Sequence, residues 1–398
     1  MATVWPSACH LAITPAGGNL ASSTEYKQPN ATSLRCPILG GHIRAIDGLR
    51  GLAILLVLMH HFGFFPPGWA GVDIFFVISG FLITRILLWT KNSPHYFSHF
   101  YARRALRILP LYYFSILLFF FVVFPIEARN GSLSSYGLKD FAWYLFHLSN
   151  WWIGSGHMLS SPINHFWSLA IEEQFYFVWP LLVFVLTRRS LAKATVAIAV
   201  CSFLCRAIAA AMHPETTGFI YFYTPFRIEP MAIGSLAAIV ADDELLWTKL
   251  VSYRLMLFWA GFSLWITTIF LGNNRLTCVF GISGIGAVAL AMLIEAANGR
   301  SAFDIPFFRN LGKYSYALYV IHYPIYLLTS GFFRSYGRFW DFALTAIVGI
   351  PLSYFLARVS WVLIESPFLR LKLDFKYEAG SRRVLTPAGM TASSNAAK

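Results

Sequence analysis

Ten long apolar runs are the strongest constraint on how this chain can fold. Each is close to the ~20 residues that a helix needs to cross a bilayer. Only 12% of the 398 residues are charged, whereas an ordinary soluble domain carries about 25%. We therefore predict an all-α, polytopic membrane bundle of about ten transmembrane helices. The runs cover residues 49–65, 71–90, 108–125, 165–187, 193–212, 224–241, 255–271, 277–297, 314–333 and 342–364.

The basic residues predict an orientation and argue against a nucleic-acid partner. The formal net charge of +13 would suit nucleic acid, but Lys and Arg fall mainly at the ends of the apolar runs, where membrane topology selects them. By the positive-inside rule, the alternate connections that are rich in Lys and Arg lie in the cytoplasm. Both termini are then expected on the cytoplasmic side of the membrane.

The segments outside the apolar runs predict three regions. Residues 1–42 are rich in Ser, Thr, Ala, Gly and Pro and are expected to form a flexible tail. The membrane domain is expected over 43–370, and the basic stretch 371–398 should be disordered. In the long outer connection, about 126–164, an aromatic segment too short to span should lie at the interface or dip back into the membrane. The five scattered cysteines form no CxxC pair or Cys/His cluster, so no metal site is predicted.

Ionisable residues within apolar spans are costly and are therefore functional candidates by default. Arg50 and His61 lie eleven residues apart on the first apolar helix, which places them on one face, about 16 Å apart along the axis. The predicted topology brings Asp73 near the level of His61 in the outer half of the bundle. Glu172 and its neighbour Glu173 fall at the same level on the fourth predicted helix.

These positions predict two chemistries at two depths. Arg103, Arg104 and Arg107 lie at the cytoplasmic level, where they could form a phosphate-binding patch with Arg50 and with Arg85. In the outer half, a neutral His61 could remove a proton from an alcohol, and Glu172 or Asp73 could orient its ring. A donor with a phosphorylated head inside and a reactive end further out, such as acyl-coenzyme A, would connect the two levels.

Each candidate also has a structural alternative. His61 could be a packing histidine, and the arginines could be topology determinants that meet anionic lipid. Glu172 and Glu173 could pair with Arg227, and Asp73 could cap the second helix. A stripe on the ninth predicted helix could serve hydrogen-bonded packing or could line the donor path; it consists of Ser315, Tyr319, His322 and Tyr326.

A transporter of a glycan, a lipid or a proton-coupled solute is the rival class of function. Buried histidine and glutamate side chains also suit a proton relay. Many transporters, however, contain internal repeats, and this sequence has no obvious one.

Five stretches resemble the integral-membrane acyltransferases of acyltransferase family 3, which O-acylate cell-surface and secreted glycans. The family pattern of a basic residue, ten residues and a histidine selects Arg50 and His61 rather than His60. The stretches, in family order over about 43–370, are RAIDGLRGLAILLVLMHH, GVDIFFVISGFLI, FYARRALRILPLYY, HFWSLAIEEQFYFVWP, and LGKYSYALYVIHYPI followed by IESPF.

The resemblance implies a fold, a reaction and a site. It implies about ten helices, with acyl-CoA, commonly acetyl-CoA, as the donor. We also expect a bacterial inner-membrane location and no permanently bound cofactor. The acceptor would be a hydroxyl of a glycan or glycolipid. His61 would be the catalytic residue. Arg50 and the group Arg103, Arg104 and Arg107 would serve function or donor binding.

Overall fold

The computed structural model describes residues 43–129, 138–157, 162–213, 218–299, 302–334 and 337–377. Within these ranges the chain is helical and contains no strand, in agreement with the predicted all-α class. The α-helices are α1 (Arg44–His61), α2 (Ala70–Thr90), α3 (Tyr96–Leu118), α4 (Phe124–Arg129), α5 (Leu138–Leu145), α6 (Ser149–Gly154), α7 (Trp167–Val185), α8 (Arg188–Met212), α9 (Gly218–Phe222), α10 (Thr224–Arg227), α11 (Glu229–Val240), α12 (Glu244–Ser252), α13 (Arg254–Phe270), α14 (Asn274–Leu276), α15 (Ile282–Ala297), α16 (Pro306–Lys313), α17 (Ser315–Phe333), α18 (Arg338–Ser360) and α19 (Ser366–Arg370).

Short π-helical and 3-10 turns extend several of these helices. The 3-10 turn Pro66–Trp69 leads into α2, and Asn164–Phe166 leads into α7. The π-helical turns Phe119–Val123, Thr277–Gly281 and Trp361–Glu365 continue α3, α14 and α18. Each turn therefore lengthens a helix or joins two consecutive helices.

Six helical segments of the described chain are long and apolar enough to cross a membrane, so the ten predicted spans are not confirmed. A seventh is counted if α12 and α13, which are bent by 49° at their junction, form one span. The ten apolar runs all contribute helices, but some of those helices do not qualify as spans. Helix α11 has 12 residues and is only ~18 Å long, and α1 carries charges at Arg44, Asp47 and Arg50.

Helix α2 lies near the centre of the helical bundle. In its most apolar window 72% of the residues are buried inside the protein, whereas the corresponding share is 22% for the span containing α18. The outer helices present large apolar side chains to the surroundings, among them Phe177, Phe270 and Phe332, which are 75%, 85% and 70% exposed. Such surfaces suit contact with lipid.

Helices α1 and α16 approach closely, and this contact fixes the end of α1 that carries Arg50. A Cβ atom on Gly312 would lie 1.8 Å from the backbone oxygen of Asp47. A Cβ atom on Gly51 would lie 1.8 Å from the backbone oxygen of Phe308. Small residues permit such a contact between membrane helices. The backbone beside Arg50 is thus held rigidly.

The predicted tails fall partly outside the described residues. Residues 1–42 and 378–398 lie outside, so their predicted flexibility stays a prediction. After α19 the chain forms a 3-10 turn, Leu371–Asp374. Arg103 of α3 donates hydrogen bonds to the backbone oxygens of Lys372 (2.9 Å) and Phe375 (2.8 Å). The first residues of the predicted C-terminal tail therefore pack against the bundle.

Candidate active site

Three histidines from distant parts of the chain meet at the end of α1. His61 is the last residue of α1, His322 lies in α17, and His165 lies in the 3-10 turn before α7. His322 Nε2 lies 3.3 Å from His61 Nδ1. The rings of His165 and His322 are 5.1 Å apart between centroids. The sequence alone points to His61, and it shows His322 only as part of a polar stripe.

The hydrogen-bond partners of these rings define which nitrogen atoms carry hydrogen. His322 Nδ1 lies 2.8 Å from the carbonyl oxygen of Tyr319 and 3.0 Å from that of Leu318. A carbonyl oxygen only accepts, so in the neutral ring Nδ1 carries the hydrogen and Nε2 carries the lone pair. His61 Nδ1 lies 3.0 Å from the carbonyl oxygen of Val57 and therefore also donates. The lone pair of His61 is then on Nε2.

His61 borders a cavity of about 280 Å³ rather than facing hydrocarbon. Its ring is partly buried and lies 5.0 Å from the ring of Tyr323, which also lines the cavity. His60 lines the same cavity, and its Nδ1 lies 2.6 Å from the backbone oxygen of Pro66. The other lining residues are Val57, Trp69, Val72, Ile153, Asn164, His165, Trp167, Tyr221, Phe222 and Tyr319.

Asp73 does not form the predicted orienting contact with His61. Its carboxylate pairs with Arg227 at 2.9 Å, and both side chains are fully buried. A buried carboxylate requires a counter-charge, and the guanidinium of Arg227 supplies it. Asp73 also makes no side-chain cap to α2. The side chain of Asp73 meets α10, which carries Arg227. The depth predicted for Asp73 does not specify which neighbouring helix its side chain contacts.

Glu172 is likewise bonded to residues other than His61. It accepts hydrogen bonds from Ser79 of α2 and from Tyr176, one turn later on α7. The alternative pairing of Glu172 or Glu173 with Arg227 is not formed either, because Arg227 pairs with Asp73. Glu172 is therefore part of a polar contact between α2 and α7.

The side chains of the four arginines predicted to bind phosphate lie together. They are Arg50 of α1 and Arg103, Arg104 and Arg107 of α3. Arg107 is within electrostatic range of Arg50 and Arg104. Lys372 is within range of all four and joins the same cluster. The buried carboxyl of Glu365 lies near Arg107. Five cations close to one carboxyl favour binding of an anion with several charges.

Arg85 does not belong to this arginine cluster. Its side chain is buried and forms an ion pair with Asp242. Arg188, the first residue of α8, pairs with the other oxygen of the same carboxylate at 3.1 Å. The charge of Arg85 is therefore engaged at the junction of α2, α8 and the residues after α11.

A second, larger cavity of about 850 Å³ is lined by Arg104 and Glu173. It shares no lining residue with the His61 cavity, so these two spaces do not form the single passage that was predicted. Asn150 of α6 helps to separate them. Its amide donates to the backbone oxygen of Phe222, which lines the His61 cavity, and to Thr224 Oγ1, which lines the larger one.

Comparison with known proteins identifies the family. The family described as an acyltransferase domain matches residues 43–358. This chain belongs to that acyltransferase family. The resemblance carried by the five sequence stretches is therefore confirmed. Together with the apolar spans, membership makes the protein an integral membrane acyltransferase-family protein.

Several curated relatives of this acyltransferase-family chain are named for O-acetyl transfer. It is 29% identical to the peptidoglycan O-acetyltransferase OatA of Listeria monocytogenes and 31% identical to the putative peptidoglycan O-acetyltransferase YrhL of Bacillus subtilis. It is 27% identical to the O-acetyltransferase OatA of Staphylococcus aureus. Each match covers 82% of this chain but only 56%, 55% and 57% of the relative. No solved structure matches the chain.

The chain thus spans slightly more than half the length of the curated relatives. Within this acyltransferase-family domain, the described residues contain no group of three or more His, Cys, Asp or Glu side chains arranged to hold a metal ion. The side chains with candidate chemistry that the structure brings together are the histidines around the small cavity and the cations around Arg107.

Proposed function

We propose that this chain is a membrane O-acyltransferase that moves an acyl group, most simply acetyl, from acyl-CoA to a hydroxyl of a carbohydrate. Family membership and the names of the relatives support the reaction class. The observation that carries the mechanism is the hydrogen-bonded state of His61. Its Nδ1 is occupied by the contacts with Val57 and His322, so the lone pair of the neutral ring is on Nε2, and His61 lines a cavity.

The cation cluster would hold the donor at the cytoplasmic side of the membrane. Coenzyme A carries several phosphate charges, and guanidinium groups bind phosphate by paired, charge-assisted hydrogen bonds. Arg50, Arg103, Arg104 and Arg107 come from two helices and face one region, which Lys372 joins. Arg103 would contribute chiefly by holding residues 372–375, because its Nη1 donates to two backbone oxygens there.

His61 would act as the general base in the transfer step. Its Nε2 would take the proton from the acceptor hydroxyl as the hydroxyl oxygen attacks the thioester carbonyl. The thiolate of coenzyme A would then leave and recover that proton from His61. A direct transfer and a route through an acyl-His61 intermediate both use the same nitrogen.

His322 takes the orienting role that was predicted for Glu172 or Asp73. Its Nε2 accepts from His61 Nδ1, and its own Nδ1 is held by the carbonyl oxygens of Tyr319 and Leu318. A group that holds the second nitrogen of a catalytic imidazole fixes its tautomer and stabilises the imidazolium. A neutral imidazole does this less strongly than a carboxylate, because it contributes no negative charge.

A donor arm would have to pass between the two levels. Polar side chains of α2, α7 and α17 would border such a path. Tyr176, Glu172 and Ser79 form hydrogen bonds with one another, and Tyr319 forms one with Ser168. Because the two cavities have separate linings, productive binding requires the contacts at Asn150 to open.

The test of the base is acyl transfer by His61→Ala in proteoliposomes at matched protein content. Labelled acetyl-CoA would be added with an oligosaccharide acceptor, and label on the sugar would be counted. We expect a loss of about 10²–10⁴-fold, the usual contribution of a general base. His60→Ala is the matched control, since His60 lines the same cavity but bonds to a backbone oxygen. Full activity of His61→Ala would remove His61 from the mechanism.

The test of the donor site is the apparent KM for acetyl-CoA. Arg50→Gln and Arg107→Gln should each raise KM by about tenfold or more, since a charge-assisted hydrogen bond contributes about 1.5–3 kcal/mol. Arg275→Gln, at an exposed arginine of α14, is the control. An unchanged KM in both cluster variants would contradict phosphate binding there.

A further inference from the structure

The histidines that line the His61 cavity all give their N–H to a backbone oxygen. His60 and His61 donate from Nδ1 to backbone oxygens at 2.6 Å and 3.0 Å. His165 donates from Nε2 to the backbone oxygen of Val320 at 3.3 Å. Carbonyl oxygens only accept, so each neutral ring has its lone pair on the other nitrogen. These rings can take a proton or accept a hydrogen bond, but in the neutral state they have no further N–H to donate.

Acyl transfer needs a donor that these histidines do not supply. When a hydroxyl oxygen attacks a thioester, the carbonyl oxygen gains a negative charge. Enzymes stabilise that oxyanion with N–H or O–H donors that are in place before the reaction begins. The donor in this cavity must therefore belong to another kind of side chain.

Tyr323 has an O–H donor beside the proposed base. Its ring lines the cavity, 5.0 Å between centroids from the ring of His61. The preceding residue, His322, contacts the same ring and holds its Nδ1. Within the described part of the chain the hydroxyl of Tyr323 has no hydrogen-bond partner. Enclosed tyrosine hydroxyls usually have one, so this hydroxyl is available to a bound molecule.

Two other tyrosines line the cavity, but their rings and hydroxyls contact other groups. The hydroxyl of Tyr319 donates to the backbone oxygen of His165 at 2.9 Å. The ring of Tyr221 packs against Trp167, 5.1 Å away between centroids. Of the three tyrosine rings, that of Tyr323 is the one in contact with the base.

Pro324 explains why this wall of the cavity is held in one position. It lies inside α17 and has no N–H, so the backbone oxygen of Val320 lacks the hydrogen bond that a helix provides from four residues further on. His165 Nε2 supplies a bond to that oxygen instead. The ring of Tyr323 contacts the rings of both His165 (5.4 Å) and His61 (5.0 Å). Tyr323 is therefore fixed beside the base, as a preorganised donor requires.

We propose that Tyr323 is a catalytic residue that donates a hydrogen bond to the oxyanion of the transfer step. The inference rests on the proposed function, because it needs His61 as the base. The acceptor oxygen attacks the thioester carbon, its proton passes to His61 Nε2, and the C=O electron pair moves onto the carbonyl oxygen. The O–H of Tyr323 stabilises that charge and keeps its own proton. The carbonyl then re-forms, the C–S bond breaks, and the thiolate recovers the proton from His61.

The first test is the single-turnover rate of acetyl transfer by Tyr323→Phe, in proteoliposomes with labelled acetyl-CoA and an oligosaccharide acceptor. Phenylalanine keeps the ring and removes only the hydroxyl. We expect the rate to fall by about 10²–10³-fold, the usual effect of losing one oxyanion donor, with the steady-state KM for acetyl-CoA nearly unchanged. Tyr326→Phe is the control and should keep the wild-type rate, because Tyr326 stacks on Tyr323 but does not line the cavity.

The second test keeps the hydroxyl and changes its acidity. A ring-fluorinated tyrosine in place of Tyr323 has a more acidic phenol and nearly the same size. A donor to the oxyanion should then give a faster single turnover near neutral pH, and the rate should fall at a lower pH on the alkaline side, where the phenol loses its proton. This variant suffices if thermal unfolding shows that Tyr323→Phe is not folded.

The outcomes separate this inference from the proposed function. A folded Tyr323→Phe variant with the wild-type rate, or a fluorinated variant with the wild-type pH profile, would overturn the role of Tyr323. A raised KM at an unchanged rate would assign Tyr323 to substrate binding and would also overturn it. In each case a loss of transfer in His61→Ala leaves the general base in place. Absence of transfer by the wild-type chain would overturn the proposed function and this inference with it.

Discussion

The buried pair of Asp73 and Arg227 predicts a large and specific effect on stability. Both side chains are fully buried, 2.9 Å apart. The guanidinium lies over the ring of Tyr221, 4.7 Å from its centroid, and near the rings of Trp167 (5.5 Å) and Phe76 (5.9 Å). The nearby Arg206 is bonded to Glu229. Replacing Arg227 by methionine would therefore leave Asp73 buried without its own counter-charge.

The expected magnitude follows from that burial. Removing one partner of a buried pair costs about 3–5 kcal/mol of unfolding free energy, because the other charge stays desolvated. This corresponds to roughly a thousandfold change in the ratio of folded to unfolded protein. Removing both charges with apolar residues of similar volume is often nearly neutral. Asp73→Leu combined with Arg227→Met should therefore be more stable than either single variant.

The assay is reversible unfolding of the purified protein in one fixed detergent, followed by tryptophan fluorescence. The control is Asp304→Asn, which breaks a pair with Arg309 at 2.8 Å in which both side chains are partly exposed. That change should cost only about 0–1 kcal/mol. If the double variant loses as much as the two single variants added together, Asp73 and Arg227 are not coupled, and the reasoning from burial fails.

Three further outcomes are expected. Gly312→Ala should destabilise the protein by about 1–3 kcal/mol, because the new Cβ would meet the backbone oxygen of Asp47. Gly331→Ala is the control: its Cβ would enter open space, so the free energy of unfolding in the same assay should hardly change. The neutral His147, whose pKa burial lowers to about 4, contributes stability that is fully present above its unfolded pKa of 6.5 and is lost as the pH falls through about 4, so the loss on acidification should be smaller in His147→Gln. A reporter that works only in the cytoplasm should be active when it is fused after Lys398, and a reporter that works only outside the cytoplasm should be inactive there. Activity of the second fusion would contradict the topology inferred from the basic connections.

The helical elements were largely predictable because hydrophobicity along the chain is a local signal. Each apolar run contributes a helix, and the arginines of α3 lie near Arg50, as their shared depth suggested. The number of spans was not predictable in the same way. A run such as 224–241 contains a break after Arg227, which divides it into α10 and the 12-residue α11.

The partners of the buried charges could not be read from the sequence, because hydrophobic runs give depth but not position around the bundle. Asp73 and His61 fall at similar depth, yet Asp73 meets Arg227, 154 positions further along the chain. His61 meets His322, 261 positions away. The polar stripe on α17 was the one signal for His322, and it did not specify which helix that face would contact.

Helix α1 connects the two proposed ends of the reaction, and its rigidity determines where motion must occur. Arg50 and His61 lie on one continuous helix, and α16 packs against the Arg50 end at van der Waals limits through Gly51 and Gly312. The distance between the anion site and the base is therefore fixed. The separation between the two cavities depends instead on α6, a single short helix held to residues 222–224 by hydrogen bonds from Asn150. Asn150 also accepts a hydrogen bond from Gln174 (2.8 Å). The three hydrogen bonds of one amide are easier to exchange than the close backbone packing of α1, so a path from the arginines to His61 should open on the α6 side of the bundle.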